Sequence, residues 1–265
     1  MLRNIFHYLT VLVFSISLLF MGCSDHPSNS IHDDHGSIQV SINHVFDSAP
    51  FIFNNAYSLP NGESVKGTML KYYVSNISFE KADGSIHVIP QDESYFLIDE
   101  SIESSKKLVL DHIPSGTYTA IRFTIGVDSL RSTMGIDKRK GILDIGAAAQ
   151  DMYWSWNSGY IHLKFEGTFT APNSSGDIRY HVGGFGGYSS PTINAIRNIR
   201  LTLNNAPMVI TGNSQKSLAI SADLKKMFTG AIPFSVAENS SVMFSPFCVT
   251  VADNYATMFS VVNKD

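Results

Sequence analysis

Cysteine is nearly missing from this chain: Cys23 and Cys248 are the only two in 265 residues. With one near each end there is no disulfide framework to read, and no Cys-x-x-Cys pair for zinc or redox work. Cys248, between Phe247 and Val249, reads as a small buried apolar residue rather than a nucleophile. Charge is sparse as well. Only 16 % of residues are charged and the formal balance is −4, which gives no electrostatic footprint for nucleic acid. After the N-terminal segment no apolar run is long enough to span a bilayer. Long helix-period runs are absent too. So are a Gly-x-Ser-x-Gly elbow and a His-Glu-x-x-His zinc helix, and the carboxylates are scattered without a pairing that spacing supports. The expectation is a protein that is not an enzyme.

What the chain does hold is globular and β-rich. Hydrophobic residues make up 44 %. Short alternating segments sit between Gly, Asn, Ser and Pro clusters, which is the pattern of an all-β chain. Ile38, Val40 and Ile42 alternate with polar neighbours. So do Ile121, Phe123 and Ile125, and Ile178, Tyr180 and Val182. Met69–Phe79 reads as a strand, Asp83-Gly84 as a hairpin turn, and Tyr95–Ile98 as a further short strand. Asp223 reads as an N-cap for a short helix over Leu224–Phe228, and Ala252-Asp253-Asn254 as the cap of a final one through Met258. The pattern predicts a two-layer antiparallel β-sandwich over residues 37–265, with long loops and short peripheral helices. From Asp128 to Gln150 the periodicity fades into one long connection.

The N-terminus reads as an address. Arg3 supplies a positive start, and Tyr8–Phe20 is an apolar stretch of signal-peptide length. Phe20-Met21-Gly22-Cys23 then resembles the bacterial lipobox, with Phe20 where leucine is usual. That resemblance implies a signal peptide over 1–22, cleavage before Cys23 and lipidation of its thiol; the alternative is a plain secretory signal. Residues 23–36 read as a flexible tether. His26, His32 and His35 with Asp25, Asp33 and Asp34 lie in it, a loose metal-binding composition without fixed geometry.

Met152–Gly167 holds both tryptophans, Trp154 and Trp156, followed by the turn signal Asn157-Ser158-Gly159 and a strand. Ile161, Leu163 and Phe165 take one face of that strand. Tyr160, His162, Lys164 and Glu166 take the other, which puts His162 on the polar side. The Trp pair either packs a sheet end or forms a binding rim. His44 falls on the apolar parity of the first strand, as a hydrogen-bonded core residue or as a ligand at a sheet end. His181 shares the polar face of its strand with Arg179, just before the run Gly183-Gly184-Phe185-Gly186-Gly187. Glycines at that density permit positive φ or close backbone approach, and no Lys-Ser/Thr pair follows to make a phosphate loop.

Several segments together resemble the MbnP-like family of bacterial periplasmic and surface proteins. They are Tyr72-Tyr73-Val74-Ser75-Asn76-Ile77, Gly116-Thr117-Tyr118, Phe123-Thr124-Ile125-Gly126-Val127-Asp128, Met152–Tyr160 with Glu166-Gly167, Tyr180-His181-Val182-Gly183, and Ala252-Asp253-Asn254-Tyr255 with Met258-Phe259. The resemblance implies a β-sandwich-like domain, a cell-envelope location in the periplasm or at the outer membrane, and a copper ion. Characterised members hold that ion through histidines and a tryptophan oxidised to kynurenine, the oxidation being performed by a dihaem peroxidase-like partner. Carried over residue by residue, it nominates His44, His181, Trp154 and Trp156 as metal-site residues; His162 joins the candidate metal residues from its place on the strand after the Trp pair, not from the family pattern. An unmodified indole is a poor ligand, because its nitrogen carries a proton, whereas an opened ring exposes an aniline nitrogen. The competing reading is a non-catalytic surface module that uses the Trp-rich rim for a carbohydrate or protein partner.

The anchor is directly testable. Cys23→Ala should release the protein from the membrane fraction or block its processing, because each buried methylene of an acyl chain contributes about 0.8 kcal/mol to membrane attachment. Unchanged processing and membrane association would reject the lipid anchor.

Overall fold

The computed structural model describes residues 34–156, 159–203 and 206–262. The signal segment, Cys23, His26, His32 and the Asn157-Ser158 part of the turn signal lie outside the described residues. The first strand, His35–Phe46, is the spine of the smaller sheet. Ile38, Val40, Ile42, His44 and Phe46 are buried on one face and alternate with more exposed neighbours, so the period-2 pattern sets which face meets the core. Pairing begins at His35, opposite Pro114, two residues before the expected start of the domain.

Around this strand the smaller sheet runs Phe259–Val261, Gln215–Asp223, His35–Phe46 and Ala49–Pro50, with Lys107–Pro114 also on the first strand. The larger sheet has the path Arg197–Thr202, Gly116–Ile125, Ser64–Lys81, Gly159–Ala171, Ser174–Gly183 and Ser241–Met243. Short strands extend it, including Tyr95–Asp99 on the long strand and Tyr153–Trp154 on Gly159–Ala171. Inward-facing rings tie the layers together: Phe259 of the smaller sheet packs edge-on against Tyr72 and Phe123 of the larger one. This is the expected all-β sandwich. Among the described residues its antiparallel pattern is broken at two places. His35–Phe46 runs parallel to Gln215–Asp223, and Ser174–Gly183 runs parallel to Ser241–Met243. Parallel neighbours require long connections, and here their partners are far apart in sequence.

Two local expectations are corrected. The last helix spans Phe247–Tyr255, so Ala252, Asp253 and Asn254 lie inside it rather than capping it. Asn254 instead works as a buried cross-link: its side-chain amide donates to the Met227 and Ile232 carbonyls and its oxygen accepts from the Ile232 N–H. The other short helix begins at Lys226, and the Asp223 carboxylate accepts from the Lys225 and Asp47 N–H groups before it.

The long connection after Ile125 is a folded cap, made of the helix Ser129–Thr133 and three 3-10 turns. It covers the outer face of the larger sheet at one end and creates a second core from Tyr73, Val127, Leu143, Met152, Trp154 and Tyr160. Arg139 is buried within the cap, donating to the carbonyls of Met134 and Ser132 and to the Tyr153 hydroxyl, and lying over the Tyr153 and Tyr160 rings. Such an enclosed guanidinium is tolerable because its donors and its flat face all find partners. Among the described residues no helix is long and apolar enough to cross a membrane, which says nothing of strands.

Candidate functional site

The candidate residues separate into three environments. His44 belongs to the inner layer. Its Nδ1–H donates to Glu100 Oε2 at 2.5 Å and its Nε2 bonds the Tyr72 hydroxyl at 2.8 Å. Glu100 also takes Lys106 at 3.2 Å. Burial acts to raise the Glu100 carboxyl, but the bonds and charges of His44 and Lys106 outweigh it and hold the group below the usual carboxylate range. Both nitrogens of His44 are therefore committed, one of them to a fully buried tyrosine.

His162 is the clearest departure from the expected pattern. It is fully buried rather than on the polar side. The register against Ser174–Gly183 slips between Ile161 and Leu163, so His162 is the extra residue of a β-bulge, and a bulge re-aims the side chain it carries. Its Nδ1 accepts from the Val127 N–H at 3.3 Å and its Nε2–H donates to the Gly184 carbonyl at 3.1 Å. The ring lies against Gly126, where an added Cβ would meet Cγ at 2.8 Å, and that glycine sits at φ +116°. Burial lowers the imidazole to about 4, against a partial opposing effect of the Gly184 bond. His162 is thus a neutral staple between the start of the cap and the start of the glycine loop. Both of its ring nitrogens are engaged in these two bonds.

His181 is on the opposite side of the larger sheet from His44. Tyr180 and Val182 point into the core, whereas His181 is half-buried on the outer face, opposite Lys164 in register. Its Nε2–H donates to Glu166 Oε1 at 2.7 Å. Its register partner on the other side is Met243, 44 % exposed, on the parallel strand Ser241–Met243. Registered partners on adjacent strands share a face, with strand axes about 4.8 Å apart. Two residues along from His181 on the same face is Gly183, where an added Cβ would meet the six-membered ring of Trp154 at 2.6 Å. The missing side chain at that glycine leaves room for the indole. Trp154 is buried, Trp156 is 64 % exposed, and the two rings are 5.3 Å apart, each with Phe244 against its edge.

The structure thus brings His181, Trp154 and Trp156 to one face and does not bring His44 or His162 to it. A site shared by His44 and His181 is not formed, because the larger sheet lies between their side chains. Sequence reading missed Met243, whose short strand of three residues gives too little alternation to register.

The profile of the MbnP family matches residues 35–244. The chain belongs to the MbnP family. No curated protein matches it. Among solved structures it is similar to MbnP from Methylosinus trichosporium, with a TM-score of 0.55 and 15 % identity over 86 % of this chain and 98 % of that one. Identity at that level carries the fold and not the site.

A copper ion, which the family resemblance implies, has to be tested against the donors present. Among the described residues no group of three or more His, Cys, Asp and Glu side chains is placed to hold a metal. The two-histidine set does not fit. The His181 face fits in part. A metal-binding histidine characteristically donates its second ring N–H to a carboxylate, as His181 does to Glu166, and an adjacent thioether is a soft donor suited to Cu(I).

The His162 staple makes a pH prediction. Its folded-state value is depressed from 6.5 to about 4, so its contribution is complete above pH 6.5 and is lost as pH falls toward 4. The difference corresponds to about 3 kcal/mol. His162→Gln should therefore be clearly less stable than wild type at pH 7.5 in urea unfolding, with the gap closing by pH 4.5. A gap that does not change with pH would contradict a neutral buried imidazole.

Proposed function

We propose that the chain is a non-catalytic cell-envelope lipoprotein that binds copper on the outer face of its larger sheet, with His181 as the nitrogen donor. The observation that carries this reading is the His181–Glu166 bond at 2.7 Å beside the register partner Met243, within an MbnP-family fold. Glu166 would fix the imidazole, leaving Nδ1 to the metal, and Met243 would add a thioether. Copper there would supply a soft, redox-active centre. Trp154 packs on Gly183, two residues along the strand from His181. Trp156 is exposed and 5.3 Å from Trp154, which offers an oxidising dihaem partner of the family type access to the buried indole. The anchor at Cys23 would keep the domain at the membrane surface.

One observation favours the second reading, a rim for a carbohydrate or protein partner. A cleft of 210 Å³ is lined by Phe185, Tyr188, Ser190, Thr192 and Phe244, and Phe244 in turn packs against the ring of Trp156. Exposed aromatic faces beside hydroxyls and backbone amides suit such ligands.

Copper titration separates the two. The purified protein should bind one equivalent of copper. His181→Ala should abolish defined binding, Met243→Leu should weaken Cu(I) more than Cu(II), and His44→Ala should leave the stoichiometry unchanged. No saturable binding by wild type would reject the copper reading and leave the aromatic rim.

A further inference from the structure

The cap carries a second cleft, unrelated to the His181 face, of 480 Å³. Arg131, Lys138 and Lys140 line it together with Tyr95, Ile142 and Asp92. Arg131 is only 6 % exposed, and its position is set by the helix it belongs to, whose N-cap Asp128 accepts from the Arg131 backbone N–H at 3.0 Å. The guanidinium lies over the Tyr95 ring, 5.0 Å from its centroid. Nη1 donates to the Lys138 carbonyl at 2.6 Å, Nη2 donates to the Asp92 carboxylate, and Nε is buried with no partner.

That arrangement is a half-filled fork. A planar oxyanion naturally takes two parallel N–H bonds from one edge of a guanidinium. Here Asp92 bonds Nη2 while Nε stays buried without a partner, an unmade bond that a ligand oxygen could fill. Asp92 itself is 84 % exposed and tethered only by its own short turn, so it can swing out into solvent. Its carboxyl is held below the usual range by the Arg131 bond and charge, with Lys138 and Lys140 adding to the effect, so two further cations face the same spot. Asp137 opposes them, ion-paired to Lys138 at 3.9 Å.

We infer that this cleft is a binding site for a small oxyanion, the carboxylate or phosphate of a compact organic molecule, which displaces Asp92 and fills the Nε–Nη2 edge of Arg131. Lys138 and Lys140 would close over the remaining oxygens, and Ile142 would face the organic body. Asp92 then acts as an internal competitor that covers the fork when no ligand is present.

The test uses the tether-and-domain chain with its natural Arg131, because truncating a buried arginine risks the fold. The Arg131 Nε–H resonance is followed by ¹H–¹⁵N NMR during titration with inorganic phosphate and, separately, succinate, each against sodium chloride at matched ionic strength. A saturable shift with at least one anion is expected; which anion gives it assigns the class. Asp92→Asn should tighten binding about two- to fivefold by removing the competitor, and Lys138→Ala with Lys140→Ala should weaken it about fivefold, the scale of exposed ion pairs. Both variants alter exposed side chains, and thermal melts matching wild type confirm that the fold is kept. No saturable shift with either anion in wild type and Asp92→Asn would overturn the site. So would a response that chloride reproduces or that the lysine changes leave unaltered.

Discussion

Strand alternation is the constraint on which the placement of every candidate residue depends. Successive side chains of a strand leave on opposite faces, so a sheet in the middle of a molecule is a wall. His44 reaches across the core to Tyr72, which projects inward from the larger sheet. His181 leaves the same sheet outward, among Lys164, Glu166 and Met243. No rotamer change brings the two imidazoles together, since the hydrogen-bonded backbone of several strands stands between them. A register slip would move one of them to the other face, and the buried series Phe165, Tyr180 and Val182 forbids it.

The cap over residues 128–152 explains why this wall is not polar throughout on its outer side. One end of the outer face is covered by Leu143, Met152 and Trp154, and tyrosine hydroxyls close the seam: Tyr73 donates to the Ile142 carbonyl and Tyr160 to that of Leu143. The cap is held by two buried arginines that bond mostly to carbonyls. It therefore depends on local backbone geometry more than on carboxylate pairing, and its acid-sensitive supports are the Asp128 cap, the Asp92 pair and the neutral His162 at its start. The uncovered part of the face is where the aromatic rim and His181 meet solvent. Both proposed binding surfaces thus border the cap, one at its Trp edge and one in its own cleft.

Much of this was legible in the residues. The parity of Ile38, Val40, Ile42 and His44 placed His44 inward, and the parity of Arg179 and His181 placed His181 outward, both as found. Turn and strand signals around Asp83-Gly84 matched a real hairpin between Ser64–Lys81 and Ile86–Val88. His162 was misread because a bulge adds one residue to one strand and leaves no mark on the alternation of the letters. The partners of His44 were invisible, since Glu100 and Tyr72 are 56 and 28 residues away in the chain. Parallel pairing escaped for the same reason: period 2 says which face a residue takes and nothing of strand direction. Nor does any local pattern announce that Arg131 keeps one nitrogen unpaired, because that follows from where the cap folds.

The most direct measurement of the central claim is the number of imidazole nitrogens on copper in the full-length protein. Electron paramagnetic resonance of the Cu(II) form, with ¹⁵N-histidine labelling, counts them. One coordinated imidazole, retained in His44→Ala and absent in His181→Ala, is the predicted result. Two coordinated imidazoles in wild type, or loss of one in His44→Ala, would contradict the assignment of the site to the outer face of the larger sheet.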